Sequence, residues 1–135
     1  MAKESGLGWT TFSVDDSGGT PRAIKNDVTN LQFATPRAVQ DVTGIDKSAM
    51  ERLLLLADFT VQPNGVFNDA SGLSHDVFKT VPSTSVLRTV TIAVSGNTLA
   101  SECIFTDYNL TRAASGELTW TAPGSLADGT VPTWA

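Results

Sequence analysis

The chain has 135 residues, with 14 acidic against 9 basic side chains and a formal charge of −5. This length suits a single domain, 1–135, and the acidic balance excludes a protein that holds nucleic acid by its overall charge. One cysteine, Cys103, excludes a disulfide within the chain. The sequence shows neither a signal-peptide core nor an apolar run of about 18 residues, so we expect cytoplasmic synthesis and no membrane insertion.

The first half of the chain predicts short strands separated by turn residues. Residues 1–8 have no periodicity and predict a loose N-terminal arm. Aromatic and β-branched residues predict strands at 9–14 and 28–34. A further strand is predicted at 59–67, where Pro63 cannot donate to a strand ladder. We therefore expect this last strand at the edge of a sheet.

The leucine-rich segment between these strands supports two interpretations. Residues 39–43 have the character of a strand, whereas 48–51 have the form of a helix capping box ahead of four consecutive leucines at 53–56. Such a run fits either a buried helix or an extended segment that is packed on both faces. Periodicity does not separate the two, so residues 48–57 are predicted as helix or as extended chain.

One short helix is predicted at 74–81. Ser74 can cap its start, Asp76 lies in the first turn where the helix dipole favours an acid, and Pro82 follows its end. A β-meander follows at 88–122, in which the loop 113–116 divides the later part into a hairpin.

The two arms of that hairpin differ in pattern. Its second arm has one apolar face, whereas its first arm, 98–112, carries apolar residues on both faces and so requires partners on both sides. The turn-rich residues 123–135 form a tail with Trp134 next to its end, and such a tryptophan usually has a docking place in its own domain or on a neighbour. Together these patterns predict about seven strands in a mostly β fold, an antiparallel β-sandwich or distorted barrel with one flanking short α-helix.

The sequence offers little for catalysis. Ser74, His75 and Asp76 are the residue types of a catalytic triad, but neighbouring side chains on a helix point in different directions. Cys103 has no second cysteine with which to bind zinc. Phosphate-binding loops, the nucleophile elbow and the redox CxxC motif do not occur. We therefore expect no enzyme activity and no catalytic, metal or cofactor site.

Two other functions stay open on these patterns. Glu102, Asp107 and Glu117 lie in the predicted hairpin, where two of them could face one another and hydrolyse a glycoside. A soluble carbohydrate-binding β-sandwich could instead use tryptophans as a stacking platform. The candidate for this role is Trp9, Trp120 or Trp134.

Three stretches carry a resemblance to a known family: DVTGIDKSAMERLLLLADFTVQPNGVFND, LSHDVFKT and SECIFTDYNLTRAASGELTWTAPGSLADGTVPTW. In this order they resemble the major tail tube protein of long non-contractile-tailed bacteriophages, especially those infecting actinobacteria. The resemblance covers nearly the whole chain and is strongest over 106–134. It implies a virion subunit with a fold shared by contractile tail tubes and type VI secretion tubes. Such subunits form hexameric rings that stack into a hollow, passive conduit for genome delivery.

The resemblance also implies a role for each region. Residues 39–57 correspond to a long loop between stacked rings, 74–81 to the flanking helix, and 1–8 and 123–135 to arms that contact neighbours. The leucine run is then extended and buried at an interface. The side chains predicted at contacts between subunits or rings are Ile45, Met50, Leu53, Leu54, Leu55, Leu56, Trp9 and Trp134.

The implied partners are further copies of the chain, a tape measure protein and tail completion or tip proteins. Double-stranded DNA would cross the lumen without specific binding, and an acidic subunit suits this because the duplex carries a negative charge about every 1.7 Å. Glu102, Asp107 and Glu117 are the predicted lumen-facing residues. The implied location is the virion tail, after synthesis in the host cytoplasm and with no membrane contact.

Overall fold

Eleven strands and one helix make up the computed structural model, which describes residues 3–135. The strands are β1 (Trp9–Asp15), β2 (Pro21–Ala23), β3 (Val28–Ala34), β4 (Arg37–Asp41), β5 (Arg52–Ala57), β6 (Thr60–Val66), β7 (Arg88–Val94), β8 (Asn97–Phe105), β9 (Asn109–Arg112), β10 (Leu118–Thr121) and β11 (Gly124–Leu126). The helix α1 spans Ser74–Phe78, and 3-10 turns occur at Gly6–Gly8 and Lys25–Asp27. Residues 1 and 2 of the predicted N-terminal arm lie outside the described residues.

Nine of the strands form one sheet that curls into a half-barrel, with the order β2-β1-β7-β8-β11-β6-β10-β9 and with β3 on the other side of β6. All the pairings are antiparallel. Within residues 3–135, the remaining two strands, β4 and β5, pair only with each other. The predicted class, mostly antiparallel β with one short helix, is confirmed, and the short strands raise the number from about seven to eleven.

The core lies between the two halves of the curled sheet. Alternate residues of the longer strands point into it, because successive side chains of a strand point to opposite faces. Helix α1 adds Phe78, whose ring lies 5.2 Å from the rings of both Phe105 and Trp120. The fully or nearly fully buried apolar residues are Phe12, Val14, Ile24, Phe59, Val61, Val77, Phe78, Val90, Ile92, Leu99, Cys103, Phe105, Trp120 and Ala122.

Two buried charged side chains hold α1 against the sheet. The Asp27 carboxylate accepts hydrogen bonds from the backbone N–H of Ser74 at 3.0 Å and from Asn68 Nδ2 at 2.9 Å. At the other end, Arg88 Nη1 donates to the carbonyl of Val77 at 2.8 Å, and Nη2 donates to Thr80 at 2.9 Å. Desolvation lowers the pKa of Arg88.

The helix is shorter than the predicted 74–81, and its start is capped differently. Ser74 does not cap it: its buried Oγ has no partner, and the Asp27 side chain takes that role. The helix ends at Phe78 because the Val77 carbonyl is bonded to Arg88, while the N–H of Val81 turns to the Phe78 carbonyl at 3.0 Å.

Strand β6 is in the interior of the sheet, so the edge-strand prediction for it was wrong. It pairs with β3 along one side, and with β11 and then β10 along the other. Pro63 lies between the part of β6 that pairs with β11 and the part that pairs with β10, where its carbonyl accepts from the N–H of Ala122 at 3.2 Å. The missing N–H of Pro63 is tolerated because β6 changes its pairing partner from β11 to β10 at that position.

The leucine run is extended, which removes the helical alternative for most of 48–57. Backbone pairing with β4 places Leu54 opposite Val39 and Leu53 opposite Gln40. The predicted hairpin of the β-meander is also present around Gly116, whose φ is 102°. Its first arm is divided into β8 and β9, because β8 pairs with β7 and β11 whereas β9 pairs with β10.

Candidate assembly surface

Strands β4 and β5 form a hairpin that extends beyond the sheet, here called the projecting hairpin (37–57). The ladder between β3 and β6 ends at the pair Ala34 and Thr60, and the ladder between β4 and β5 begins at Arg37 and Ala57. The hairpin therefore continues the β3–β6 ribbon. About ten residues separate Ala34 from the tip, a reach of about 30 Å for extended chain.

The projecting hairpin is held together by its own polar contacts. Near the tip, Thr43 Oγ1 lies 2.6 Å from Asp41 Oδ1 and accepts the backbone N–H of Glu51 at 2.8 Å. The hydroxyl and the backbone N–H of Thr43 both donate to the Asp41 carboxylate, and these two hydrogen bonds lower its pKa. At the base, the Arg37 guanidinium donates twice to the carbonyl of Leu55, at 3.0 and 2.8 Å. The hairpin thus has a defined conformation, although its apolar side chains are not buried.

Its apolar side chains face solvent on both faces. Every residue of β4 and β5 is exposed apart from the half-buried Ala57. Leu56 is 90% exposed and Ile45 is fully exposed at the tip. Because successive leucines point to opposite faces, neither face of β5 can act as a polar exterior. Contiguous apolar surface of this kind marks an interaction site.

A groove lies where the projecting hairpin joins the body. It has a volume of about 1000 Å³ and lies between the leucine strand and the C-terminal segment at Val131 and Pro132. Ala38 and Leu56 are among its apolar lining residues. The exposed apolar surface therefore continues from the hairpin onto the body of the domain.

The predicted contact residues divide into two groups. Ile45, Met50 and the leucines at 53–56 lie together on the projecting hairpin and are exposed. The other two lie on the body: Trp9 packs edge-on against Phe33 with ring centroids 5.5 Å apart, and Trp134 packs against the same ring at 5.9 Å.

The three tryptophans considered for carbohydrate stacking differ in exposure. Trp120 is 1% exposed and donates from Nε1 to the carbonyl of Val66 at 3.0 Å. Trp9 is half-buried, which leaves Trp134 as the one exposed indole of the three. A sugar ring stacks on an exposed aromatic ring, so Trp134 is the one of these three indoles that meets this requirement.

The three carboxylates predicted at the lumen lie on separate elements. Glu102 is in β8, where its carboxylate accepts a hydrogen bond from Thr89 of β7. Asp107 precedes β9, whereas Glu117 follows the turn after β9 and accepts from Ser115 at 3.0 Å. Asp107 and Glu117 are thus at opposite ends of β9, about 20 Å apart for extended chain, too far for a glycosidase pair.

The histidine and the aspartate that resembled parts of a catalytic triad make structural contacts instead. The ring of His75 contacts Tyr108, with Nδ1 3.1 Å from the phenol oxygen, and Asp76 pairs with Lys79 at 2.7 Å. Burial raises the pKa of Tyr108 to about 12. Among residues 3–135, no group of three or more His, Cys, Asp or Glu side chains is placed to hold a metal ion. No helix in this part of the chain is long and apolar enough to cross a membrane.

Sequence reasoning missed a feature of the sheet surface, here called the neutral face: the outward-pointing side chains of β9, β10, β6 and β3. The register places Gln62 beside Gln32, and Asn64 between Asn30 and Thr121. Alternation along one strand shows which of its residues share a face, but it does not show which strands lie side by side. The neutral face consists of Asn109, Thr111, Thr119, Thr121, Thr60, Gln62, Asn64, Val66, Asn30, Gln32 and Ala34.

Comparison of the whole chain with known proteins finds similarity in structure. No protein-family model matches the sequence, and no curated protein matches it either. A chain in the virion of a native gene transfer agent particle is similar, with a TM-score of 0.77 and 13% identity over 98% of this chain and 99% of that one. A chain in the tail of an empty gene transfer agent particle, solved with C6 symmetry, has a TM-score of 0.80 and 14% identity over the same shares. The chain therefore has the fold of protein chains found in a phage-like particle and its tail.

Proposed function

We propose that this chain is a structural subunit of a phage-type tail tube, in which six copies form a ring and rings stack into a hollow conduit for DNA. The observation that carries the proposal is the projecting hairpin, which is apolar on both faces and exposed in the single chain. The C6 symmetry of a tail that contains the same fold supports the ring of six. In this role the subunit has no catalytic task.

The hairpin is suited to contacts between rings. Burying one leucine completely stabilises an association by roughly 1.5–3 kcal/mol, so four leucines in one strand make a strong contact when a neighbour covers both faces. The hairpin continues the β3–β6 ribbon, so it reaches away from the body towards a subunit outside its own ring. The same leucines in an unassembled subunit favour association rather than a dissolved monomer.

The proposed partners are the molecules that a tail tube would contact in a particle. Beyond further copies of the chain, they are a tape measure protein inside the growing tube and completion or tip proteins at its ends. Double-stranded DNA would pass without specific binding. The subunit would be made in the host cytoplasm and would function in the virion tail.

The proposal can be tested by replacing Leu54 and Leu55 together with serine. Both side chains are exposed, so we expect a folded monomer with an unchanged circular dichroism spectrum. Electron microscopy of the concentrated protein should show tubes for the wild type and none for the variant. Replacing the polar hairpin residues Gln40 and Asp46 with serine is the matched control and should leave tube growth intact.

Two results would contradict the proposal. Wild-type protein that stays monomeric at high concentration, even with tail partners present, would exclude a self-assembling tube subunit. Unfolding of the Leu54→Ser, Leu55→Ser variant would place these leucines in the folding core rather than at an interface.

A further inference from the structure

The four strands that carry the neutral face form the one half of the sheet with two free edges. In this half, β10 and β6 are internal, while β9 and β3 each pair with one strand among the described residues. In a ring built by joining sheets edge to edge, every subunit must offer two free edges of one half-sheet. The β9-β10-β6-β3 half meets this requirement.

The opposite half of the sheet, which consists of β2, β1, β7, β8 and β11, does not have two free edges. Its strand β8 is paired with β7 on one side and with β11 on the other. Further along the same edge, the N–H and carbonyl of Thr98 pair with Ala135 at 2.9 and 2.8 Å. The C-terminal segment thus closes the edge at which a neighbouring subunit would have to join.

The two halves also differ in charge. The neutral face bears amide, hydroxyl and small apolar groups, and its strand residues, all within the described part of the chain, include no ionisable side chain. The outward face of the opposite half carries two acids, Asp15 and Glu102. In a chain with 23 ionised side chains at neutral pH, a face of this size without charge is a distinct surface.

An uncharged face is suited to a polyanion in transit. Binding of double-stranded DNA is driven largely by lysine and arginine that displace counterions from its phosphates, and a surface without cations cannot bind in that way. A surface without carboxylates also adds no repulsion that would raise the work of insertion. Asparagine, glutamine and threonine side chains hold a layer of water through which the phosphates can move.

We propose that the neutral face is the wall of the channel, so that the transported DNA passes over an uncharged surface of amides and hydroxyls. This rests on the proposed tube and extends it. β9 of one subunit then joins β3 of the next. Asp107 and Glu117, at the two ends of β9, lie at the rims of this wall, and Glu102 lies outside it.

Cysteine labelling of assembled tubes tests the assignment. Gln62→Cys places a thiol on the neutral face, and Ala100→Cys is the matched variant, since both positions are exposed and lie within strands. The native Cys103 is fully buried and burial raises its pKa to about 12, so the wild type supplies an unlabelled background. Each variant is treated, as monomer and as tube, with N-ethylmaleimide and with a polyethylene-glycol maleimide too large to enter the channel.

In monomers both introduced thiols should react with both reagents. In tubes verified by electron microscopy, Gln62→Cys should keep its reaction with N-ethylmaleimide and lose most of its labelling by the large reagent, by at least about tenfold. Equal labelling of Gln62→Cys by both reagents in intact tubes would overturn the channel-wall assignment, as would size selection at Ala100→Cys. Failure of the wild type to form tubes would instead overturn the proposed function, and the inference with it.

Discussion

Strands β5 and β6 are separated by two residues, yet their apolar side chains have opposite surroundings. Val61 of β6 and the adjoining Phe59 are buried, whereas Leu54 and Leu56 of β5 face solvent. β6 has a strand on each side and the opposite half of the sheet above it, whereas β5 has only β4. Hydropathy therefore does not determine burial in this chain, because burial requires neighbours that β5 lacks within its own subunit.

The polar contacts of the two regions differ in the same way. Asp27 and Arg88 are buried, and their bonds join segments far apart in sequence. On the projecting hairpin, Arg37 and Thr43 bond only within the hairpin and are reached by water. Buried hydrogen bonds to charged groups stabilise more than exposed ones, so we expect the body to be stable alone and the hairpin to gain stability from a neighbour.

The largest expected effect is a loss of stability in the body. Trp120→Ala removes a buried indole that packs on Phe78 and bonds to the Val66 carbonyl, and should lower the free energy of unfolding by about 3–5 kcal/mol. Urea denaturation followed by circular dichroism measures it. Leu118→Ala, an exposed position in the same strand, is the control and should cost well under about 1 kcal/mol. Equal losses for the two variants would contradict the assigned core.

Acid unfolding should also separate body from hairpin. Hydrogen bonds from Thr20 and Arg22 lower the pKa of Asp16 in the body, and bonds from Thr43 lower that of Asp41 at the hairpin tip. A lowered folded-state pKa contributes stability that is present above the unfolded-state value of about 3.9 and is lost as pH falls through the folded value.

Asp16→Asn should therefore raise the pH at which the whole domain unfolds, with a loss of at most about 1 kcal/mol at neutral pH because the Asp16–Arg22 pair is partly exposed. Asp41→Asn should leave that midpoint unchanged, since its bonds hold only the hairpin. The measurement is an acid titration followed by tryptophan fluorescence. A shift for Asp41→Asn as large as that for Asp16→Asn would mean that the hairpin unfolds together with the body.

The smallest effect is expected on the hairpin itself. Leu56→Ala removes an apolar side chain that is 90% exposed, so the unfolding free energy of the monomer should change by less than about 0.5 kcal/mol. Thermal denaturation of dilute protein checks this, with the buried Phe59→Ala as the contrasting variant. A loss of 2 kcal/mol or more, of the order of a buried leucine, would show that Leu56 packs within its own subunit.

Much of the fold could be predicted from local pattern. The predicted strand at 28–34 has the observed bounds of β3, and the predicted meander begins at the first residue of β7, because residues with strand propensity are bounded by turn residues in both places. The strand that contains Pro63 was wrongly predicted at the edge of a sheet, because the strands on either side of β6 come from distant parts of the chain. The cap of α1 was also missed, since Asp27 is 47 residues away from Ser74.

The candidate assembly surface could likewise be predicted from the sequence only in part. The leucines at 53–56 could be selected from sequence because four consecutive apolar residues in an extended strand leave no polar face. The groove beside Val131 could not be selected, since it forms where the C-terminal segment meets a hairpin some 75 residues earlier in the chain. Nor could the neutral face, because it combines alternate residues of four strands.

By itself the sequence determined the β-rich class, the acidic balance and the apolar character of both faces of β5, since these depend on residue type and on a period of two along the chain. Only the tertiary structure decided that β5 stands outside the core and that β9 and β3 have free edges in the part of the chain that is described. The physical reason is that a strand's neighbours are set by hydrogen bonds between residues distant in sequence. Those bonds determine which edges and faces of a subunit remain available for contact with another copy.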